Sequence, residues 1–355
     1  MPNTTPIPWT DVTWNPTRGC SAAAPGCHYC YATRYAHRFS GPGQPYEGLV
    51  TSTPTSHPRW TGNVQLLPTR LLQPLHWRKP RRIFICSLSD LFHQGVPDTF
   101  IRDVCRTITL TPHHTYQLLT KRPERAQALF RNQQWLDGLE LDADISTHAR
   151  LVWPLPNLWL GASASTQHDL NHIIPPLLNA PATIRFISFE PLLGPVDTDT
   201  RPCPHGCADQ APDRSGPDRG KPPYCGVDGC DMETPGRIPF TLERIHWVIA
   251  GGESGGTANR ALVKPCPRLR WDTHARGRDP SITCDHCHDT RWIPKTEALA
   301  WVSSLRDQCT TAGIPFFFKG WGGPTQRAAG DLLDGQQYHE LPTQVSRRYE
   351  TVTDV

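Results

Sequence analysis

The sequence predicts an α/β protein: a partial or near-complete (β/α) barrel interrupted by two cysteine-rich insertions. Three observations carry this expectation. Short apolar runs alternate with helix-like stretches, polar and charged residues follow each run, and the cysteines, 13 in 355 residues, gather mainly in three segments.

The first strand-like segment is Val12 to Trp14. The apolar runs that follow are Arg82–Cys86, Tyr116–Leu119, Leu158–Leu160, Ile184–Ile187, Trp247–Ala250 and Pro315–Phe318. Near-continuous apolar strands of this length suit a parallel sheet covered on both faces. Helix-like periodicity fills the intervals at Asp98–Thr109, Arg122–Arg131, Gln167–Leu178 and Thr296–Ala312, the last stopped by Gly313. The residues after the runs read SLSDLFH (87–93), TKRPER (120–125), GASASTQ (161–167), SFEPLLGP (188–195), GGESGG (251–256) and KGWGG (319–323). Any one of these loops is explained as a cap or a turn. Six together predict a pocket, because the loops at the carboxyl ends of parallel strands converge on one face.

The chain divides accordingly. Residues 1–198 form the first part of the barrel and 199–240 a cysteine-rich insertion. Residues 241–256 are a barrel strand with its GGES loop, and 257–294 a second cysteine-rich insertion. Residues 295–323 are the last helix and strand, and 324–355 a polar, loosely attached tail. Proline at 37 of 355 residues predicts many irregular connections. The net charge of +3 excludes a chain that is basic throughout but allows a local basic patch. No run approaches the roughly 20 apolar residues of a membrane helix. The first residues, MPNTTPIPWTDVTW, lack the basic start and apolar block of a signal peptide. The expectation is a cytoplasmic protein without membrane contact. In a reducing compartment its cysteines point to metal or redox chemistry rather than disulfides.

The sharpest motif is Gly19-Cys20-Ser21-Ala22-Ala23-Ala24-Pro25-Gly26-Cys27-His28-Tyr29-Cys30-Tyr31-Ala32, directly after the first strand-like segment. Three thiolates on one short loop hold three irons of a [4Fe–4S] cluster and leave the fourth iron open to an exogenous ligand. A structural zinc site needs a fourth protein ligand, here His28, His37 or a distant cysteine. The spacing leaves both open.

Cys-x-x-Cys with Tyr29 before the last cysteine resembles the cluster loop of radical S-adenosylmethionine enzymes, with six residues in place of three between the first two cysteines. The ordered motifs WTDVTWNPTRGCSAAAPGCHYCYA, RRIFICSLSDLFH, LLTKRPER, LWLGASASTQ, RFISFEPLLGP, WVIAGGESG, SLRDQC and PFFFKGWG resemble more closely the phage- and bacterium-encoded three-Cys-motif family, a divergent radical-SAM-like branch of unknown function. The resemblance runs from about Trp9 to Gly322 apart from the insertions. It implies a radical-SAM-like barrel with a [4Fe–4S] cluster on Cys20, Cys27 and Cys30. It further implies S-adenosylmethionine as cofactor, an external electron donor, a 5′-deoxyadenosyl radical as the reactive species and a three-Cys-motif partner protein. It places Tyr29 and Tyr31 near the adenine, and Ser87 and Asp90 at the cofactor's ammonium. Gly251, Gly252, Glu253 and Ser254 fall at its ribose or ammonium.

Lys121, Arg122, Glu190 and Lys319 each end an apolar run, and two of only six lysines are among them. Buried charges of this kind are either paired or ligand-facing. One reading is catalytic, with Lys121, Glu190 and Lys319 acting on an anionic substrate such as a nucleotide or nucleic acid; the other is an internal salt bridge of Glu190 with Lys319 or Lys121. Cys203, Cys207, Cys225 and Cys230 suit one zinc site, and Cys266, Cys284 and Cys287 with a histidine a second, with an auxiliary iron–sulfur cluster or free surface thiols as the alternatives and the sharing of pairs left open by their order. Cys86, Cys105 and Cys309 fall in regular elements and read as small core residues. Two further whole-protein readings compete with the radical enzyme. One is a zinc-containing nucleic-acid-binding protein without catalysis; the other is a metal-free hydrolase using Glu190 and Glu253.

Overall fold

The computed structural model describes residues 5–52, 57–147, 151–198, 200–202, 237–239, 242–254, 262–266, 292–324 and 328–343. Seven parallel strands form one sheet: β1 (Val12–Trp14), β2 (Arg82–Ile85), β3 (Thr115–Thr120), β4 (Leu158–Ser163), β5 (Ile184–Phe189), β6 (Trp247–Gly251) and β7 (Phe316–Gly320). They lie side by side in chain order, and β1 does not pair with β7, so the barrel is open. Among the described helices, α1 (Tyr31–His37) follows β1, α2 (Asp98–Thr109) joins β2 to β3, and α3 (Pro123–Phe130) and α4 (Gln133–Thr147) join β3 to β4. Helix α5 (Gln167–Asn179) joins β4 to β5, and α6 (Thr296–Thr311) precedes β7.

The apolar runs are buried on both faces, as their near-continuous character predicts. Ile83, Ile85, Leu118, Leu160, Ile187, Val248 and Phe318 point into the core shared with the helices. Their neighbours in the pleat, Phe84, Trp159, Phe186, Ile249 and Phe317, point to the other face. That second face is concave. The Trp9 ring lies 4.7 Å from Phe84 on β2 and 6.1 Å from Trp247 on β6. In a flat sheet those strands would be roughly 19 Å apart, four strand spacings. One indole reaches both only because the sheet curls around it. The result is a half-barrel whose inner floor is aromatic.

The four predicted helices fall within a residue of their expected ends, and the strands extend by one to three residues beyond most of the runs. Helix α4 was not anticipated: its acids and Gly138 obscure the stripe of Trp135, Leu136 and Leu139, of which Trp135 and Leu139 are buried. Cys86, Cys105 and Cys309 are buried in the core, as expected.

Each insertion is pinched at its base by an antiparallel pair: Thr200–Pro202 with Arg237–Pro239, and Val263–Pro265 with Trp292–Pro294. Cys203, Cys207, Cys225, Cys230, Cys284 and Cys287, on which the zinc reading rests, lie outside the described residues. Cys266 is buried just past the second pair. The expected loose tail is corrected for residues 328–343. Phe318 N–H donates to Tyr338 O (2.7 Å), Phe317 bridges His339 antiparallel, and Trp247 Nε1–H donates to Glu340 O (2.9 Å). This segment covers the free edge of β7 and caps the aromatic floor.

Candidate functional site

The cysteine loop sits at the carboxyl end of β1. Gly19 adopts φ +83°, and a Cβ there would meet Asn63 O at 2.2 Å, so only glycine turns the chain into the loop. The Gly19 backbone bridges Ser89 in the loop after β2. Pro25–Cys27 make a single 3₁₀ turn, and Cys30 caps α1.

Arg122 ties this loop to the centre of the barrel. Its guanidinium donates to Ser21 O (3.0 Å), Ser21 Oγ (2.9 Å) and Asp90 Oδ2 (2.9 Å), and lies 3.9 Å from Cys20 Sγ. Asp90 also accepts from Phe92 N–H (3.0 Å), Thr120 Oγ1 (2.8 Å) and Lys121 N–H (3.1 Å). A carboxylate has about four acceptor sites, and protein donors fill them. Asp90 therefore holds three loops together, which displaces its expected place at a cofactor ammonium. His93 completes the brace. Its Nδ1 accepts from Gly95 N–H (3.1 Å), so the neutral ring places its proton on Nε2, 2.8 Å from Ser21 Oγ. Burial and the nearby Arg122 charge keep its pKa below the ordinary value.

A cavity of about 820 Å³ opens above the aromatic floor at the carboxyl ends of the strands. Of the predicted site residues, Cys20, Cys27, Tyr31, Ser87, Asp90, Lys121, Glu190, Ser254 and Lys319 line it. Cys30, Tyr29, Gly251, Gly252 and Glu253 are not among its walls. The Tyr29 ring packs edge-on against His28 (4.5 Å) and His57 (5.2 Å) instead of facing the cavity. Gly252 serves backbone packing: a Cβ there would meet Trp321 O at 2.0 Å. Ser87 Oγ donates to Asn15 Oδ1 (3.2 Å), and Tyr31 OH donates to Ser87 O (2.5 Å).

Lys319 Nζ lies 2.6 Å from Glu190 Oε1, and Ser188 Oγ donates to Glu190 Oε2 (3.0 Å). The salt-bridge reading of Glu190 thus holds for Lys319. Lys121 takes a different partner and donates to Ser163 Oγ. The hydrolase reading loses its pair, since Glu190 is bonded to a lysine and Glu253 is not in the cavity wall.

Burial governs the Cys20 and Cys30 thiols. Burial first, then the Asp90 charge and the two other cysteines push the Cys20 thiol up to about 12, against the pull of Arg122. Burial also raises Cys30. Among the described residues no three His, Cys, Asp or Glu side chains converge closely enough for a single metal ion. Ser163, in the GASASTQ loop expected at the pocket, also lines the cavity; Arg18, Arg70, Tyr35 and Tyr46 line it too and were missed from the sequence. Charge counting along the chain locates two of them: between Val12 and Ser89 there are nine Lys and Arg residues and one acid, Glu47.

No helix among the described residues is long and apolar enough to cross a membrane. No curated protein and no solved structure matches the chain. The chain belongs to the family described as "Protein of unknown function (DUF5131)", which it matches over residues 4–278 and 294–342.

Proposed function

We propose that this protein is a radical S-adenosylmethionine-type enzyme whose [4Fe–4S] cluster is held by Cys20, Cys27 and Cys30. The observation that carries the reading is the position of the loop: three cysteines at the carboxyl end of the first strand of a parallel half-barrel, with Cys20 and Cys27 in the wall of an 820 Å³ cavity. The donor set suits the group. Half-buried thiols such as Cys20 and Cys30, which desolvation holds in the protonated form, gain from ligating iron, which takes them as thiolates. Arg122 beside Cys20 Sγ is a donor of the kind that tunes a cluster.

When bound and reduced by an external donor, such a cluster supplies the electron that cleaves the sulfonium of S-adenosylmethionine to a 5′-deoxyadenosyl radical. The chain's own part is positional. Asp90, Arg122 and His93 fix the cysteine loop. The aromatic floor closes the inner end of the cavity. Lys121 and the Glu190–Lys319 pair bear on the bound molecules from the strand ends. The cations suit an anionic substrate, a nucleotide or nucleic acid.

Anaerobic reconstitution with iron and sulfide tests this. The expected result is a broad visible charge-transfer absorption, four irons per chain and 5′-deoxyadenosine on adding S-adenosylmethionine and dithionite, all lost in Cys27→Ala. Zinc in place of iron, or an unchanged Cys27→Ala protein, overturns it.

A further inference from the structure

The outer wall of the cavity carries features that, Tyr31 apart, the cluster chemistry does not use. Tyr31, Tyr35 and Phe39 follow one another at helical spacing along and just past α1, and they are 49%, 46% and 39% exposed. Tyr35 lies 5.2 Å from Phe39 and 6.2 Å from the buried Tyr46, so these two exposed rings are packed side by side as a ledge on an aromatic base, with Tyr31 one turn before them on the same helix. Behind the ledge stand two guanidiniums. Arg18 stacks over Tyr46 at 5.4 Å and donates to Pro45 O (3.1 Å); Arg70 donates to Asn15 O (3.4 Å). Among the described residues neither pairs with a carboxylate, and Arg18 Nε is buried without a hydrogen-bond partner. Both guanidiniums line the same cavity, and burial and the charge of Arg18 lower the pKa of Arg70. All six side chains line the one cavity.

Two like charges held together without an acid are costly unless an anion joins them. Two guanidinium forks match phosphate oxygens. The charge pattern extends beyond the pair. The Val12–Ser89 segment carries an excess of eight positive charges, against +3 for the chain, so the remainder is net acidic. Exposed rings interleaved with arginines are what an unpaired strand needs: π-faces for its bases and cations for its backbone. A duplex hides its base faces and gains only from the charge.

We propose that this ledge binds single-stranded nucleic acid, with bases stacked on Tyr31, Tyr35 and Phe39, backbone phosphate on Arg18 and Arg70, and one nucleotide directed into the cavity. The proposal deepens the radical-enzyme reading by naming its substrate class, and rests on that reading only for what happens after binding.

Fluorescence anisotropy with a labelled mixed-sequence 12-nucleotide strand, on the full-length chain with and without reconstituted iron, tests it. The strand should bind in both states and more tightly than the same sequence as a duplex. Arg18→Gln/Arg70→Gln should weaken binding at least tenfold and flatten the slope of log affinity against log salt by about 1.4, two contacts at about 0.7 each. Tyr35→Ala, at an exposed position, should weaken binding about five- to a hundredfold with the slope unchanged. Should the double variant fail to fold by circular dichroism, Arg70→Gln alone, with a slope change of about 0.7, decides in its place. Equal affinity for the duplex, wild-type binding by the variants, or displacement of the strand by an equal concentration of mononucleotide overturns the proposal. Strand binding without 5′-deoxyadenosine formation would sink the radical reading alone; 5′-deoxyadenosine without strand binding would sink the ledge alone.

Discussion

Two carboxylates organise the cavity, and they do so differently. Asp90 is consumed by donors from its own loop and from the end of β3, and positions the cysteine loop through Arg122. Glu190 has one strong partner, Lys319, with side chains 12% and 19% exposed respectively. Breaking a fully buried pair costs about 3–5 kcal/mol, and partial access to the cavity reduces this. Glu190→Gln should therefore lower unfolding free energy by about 1–3 kcal/mol, and Lys319→Met by a similar amount. The double variant should lose less than the sum of the two. Urea denaturation of the four proteins measures the coupling, and strict additivity would mean that the pair contributes nothing.

Strand ends and loops are fitted to each other by close backbone approach. Gly161 reads in the sequence as the start of a loop, yet it lies within β4, where a Cβ would meet the Phe186 ring at 2.3–2.5 Å. Phe186 belongs to the aromatic floor, so glycine here makes room for a ring on the neighbouring strand. Gly161→Ala should destabilise by about 1–3 kcal/mol through overpacking, and adding Phe186→Leu should restore part of the loss. Denaturant midpoints of the single and double variants check this; a double variant no more stable than Gly161→Ala alone would refute the assignment. The same fit explains why α4 escaped prediction while α2 did not. Phe100, Ile101, Val104, Cys105 and Ile108 make a full buried stripe on α2, whereas α4 is interrupted by acids and Gly138.

The half-barrel is closed from outside its own sheet. Trp9 fills the concave face and the 338–340 segment covers β7, so both ends of the described chain finish one core. The core on the sheet's other face, shared with the helices, buries Cys86, Cys105 and Cys309, whose thiols burial pushes up to about 11, 12 and 12. An unfolded thiol releases its proton near pH 8.5. Between there and about pH 11 the unfolded state binds fewer protons than the folded one, so stability must fall as pH rises. Each thiol removes up to about 1.4 kcal/mol per pH unit in that window. The urea midpoint of the metal-free protein should be flat from pH 7 to 8.5 and drop by pH 10, with a shallower drop in Cys105→Ala. A midpoint independent of pH up to 10 would contradict the burial of these groups.

Local pattern was enough to read the alternation of strand and helix, the buried cysteines of the core, the face on which the loops converge and the three-cysteine loop, because periodicity and short spacing are properties of neighbouring residues. The assignments that changed involve residues far apart in the chain. Arg122 reaches Cys20 across 102 residues, and Thr120 reaches Asp90 across 30. Glu190 and Lys319 meet only because β5 and β7 curl toward the same cavity. Whether a charged side chain is spent on a partner or left facing a ligand depends on which strand ends come together, and that is settled only when the sheet closes around its aromatic floor.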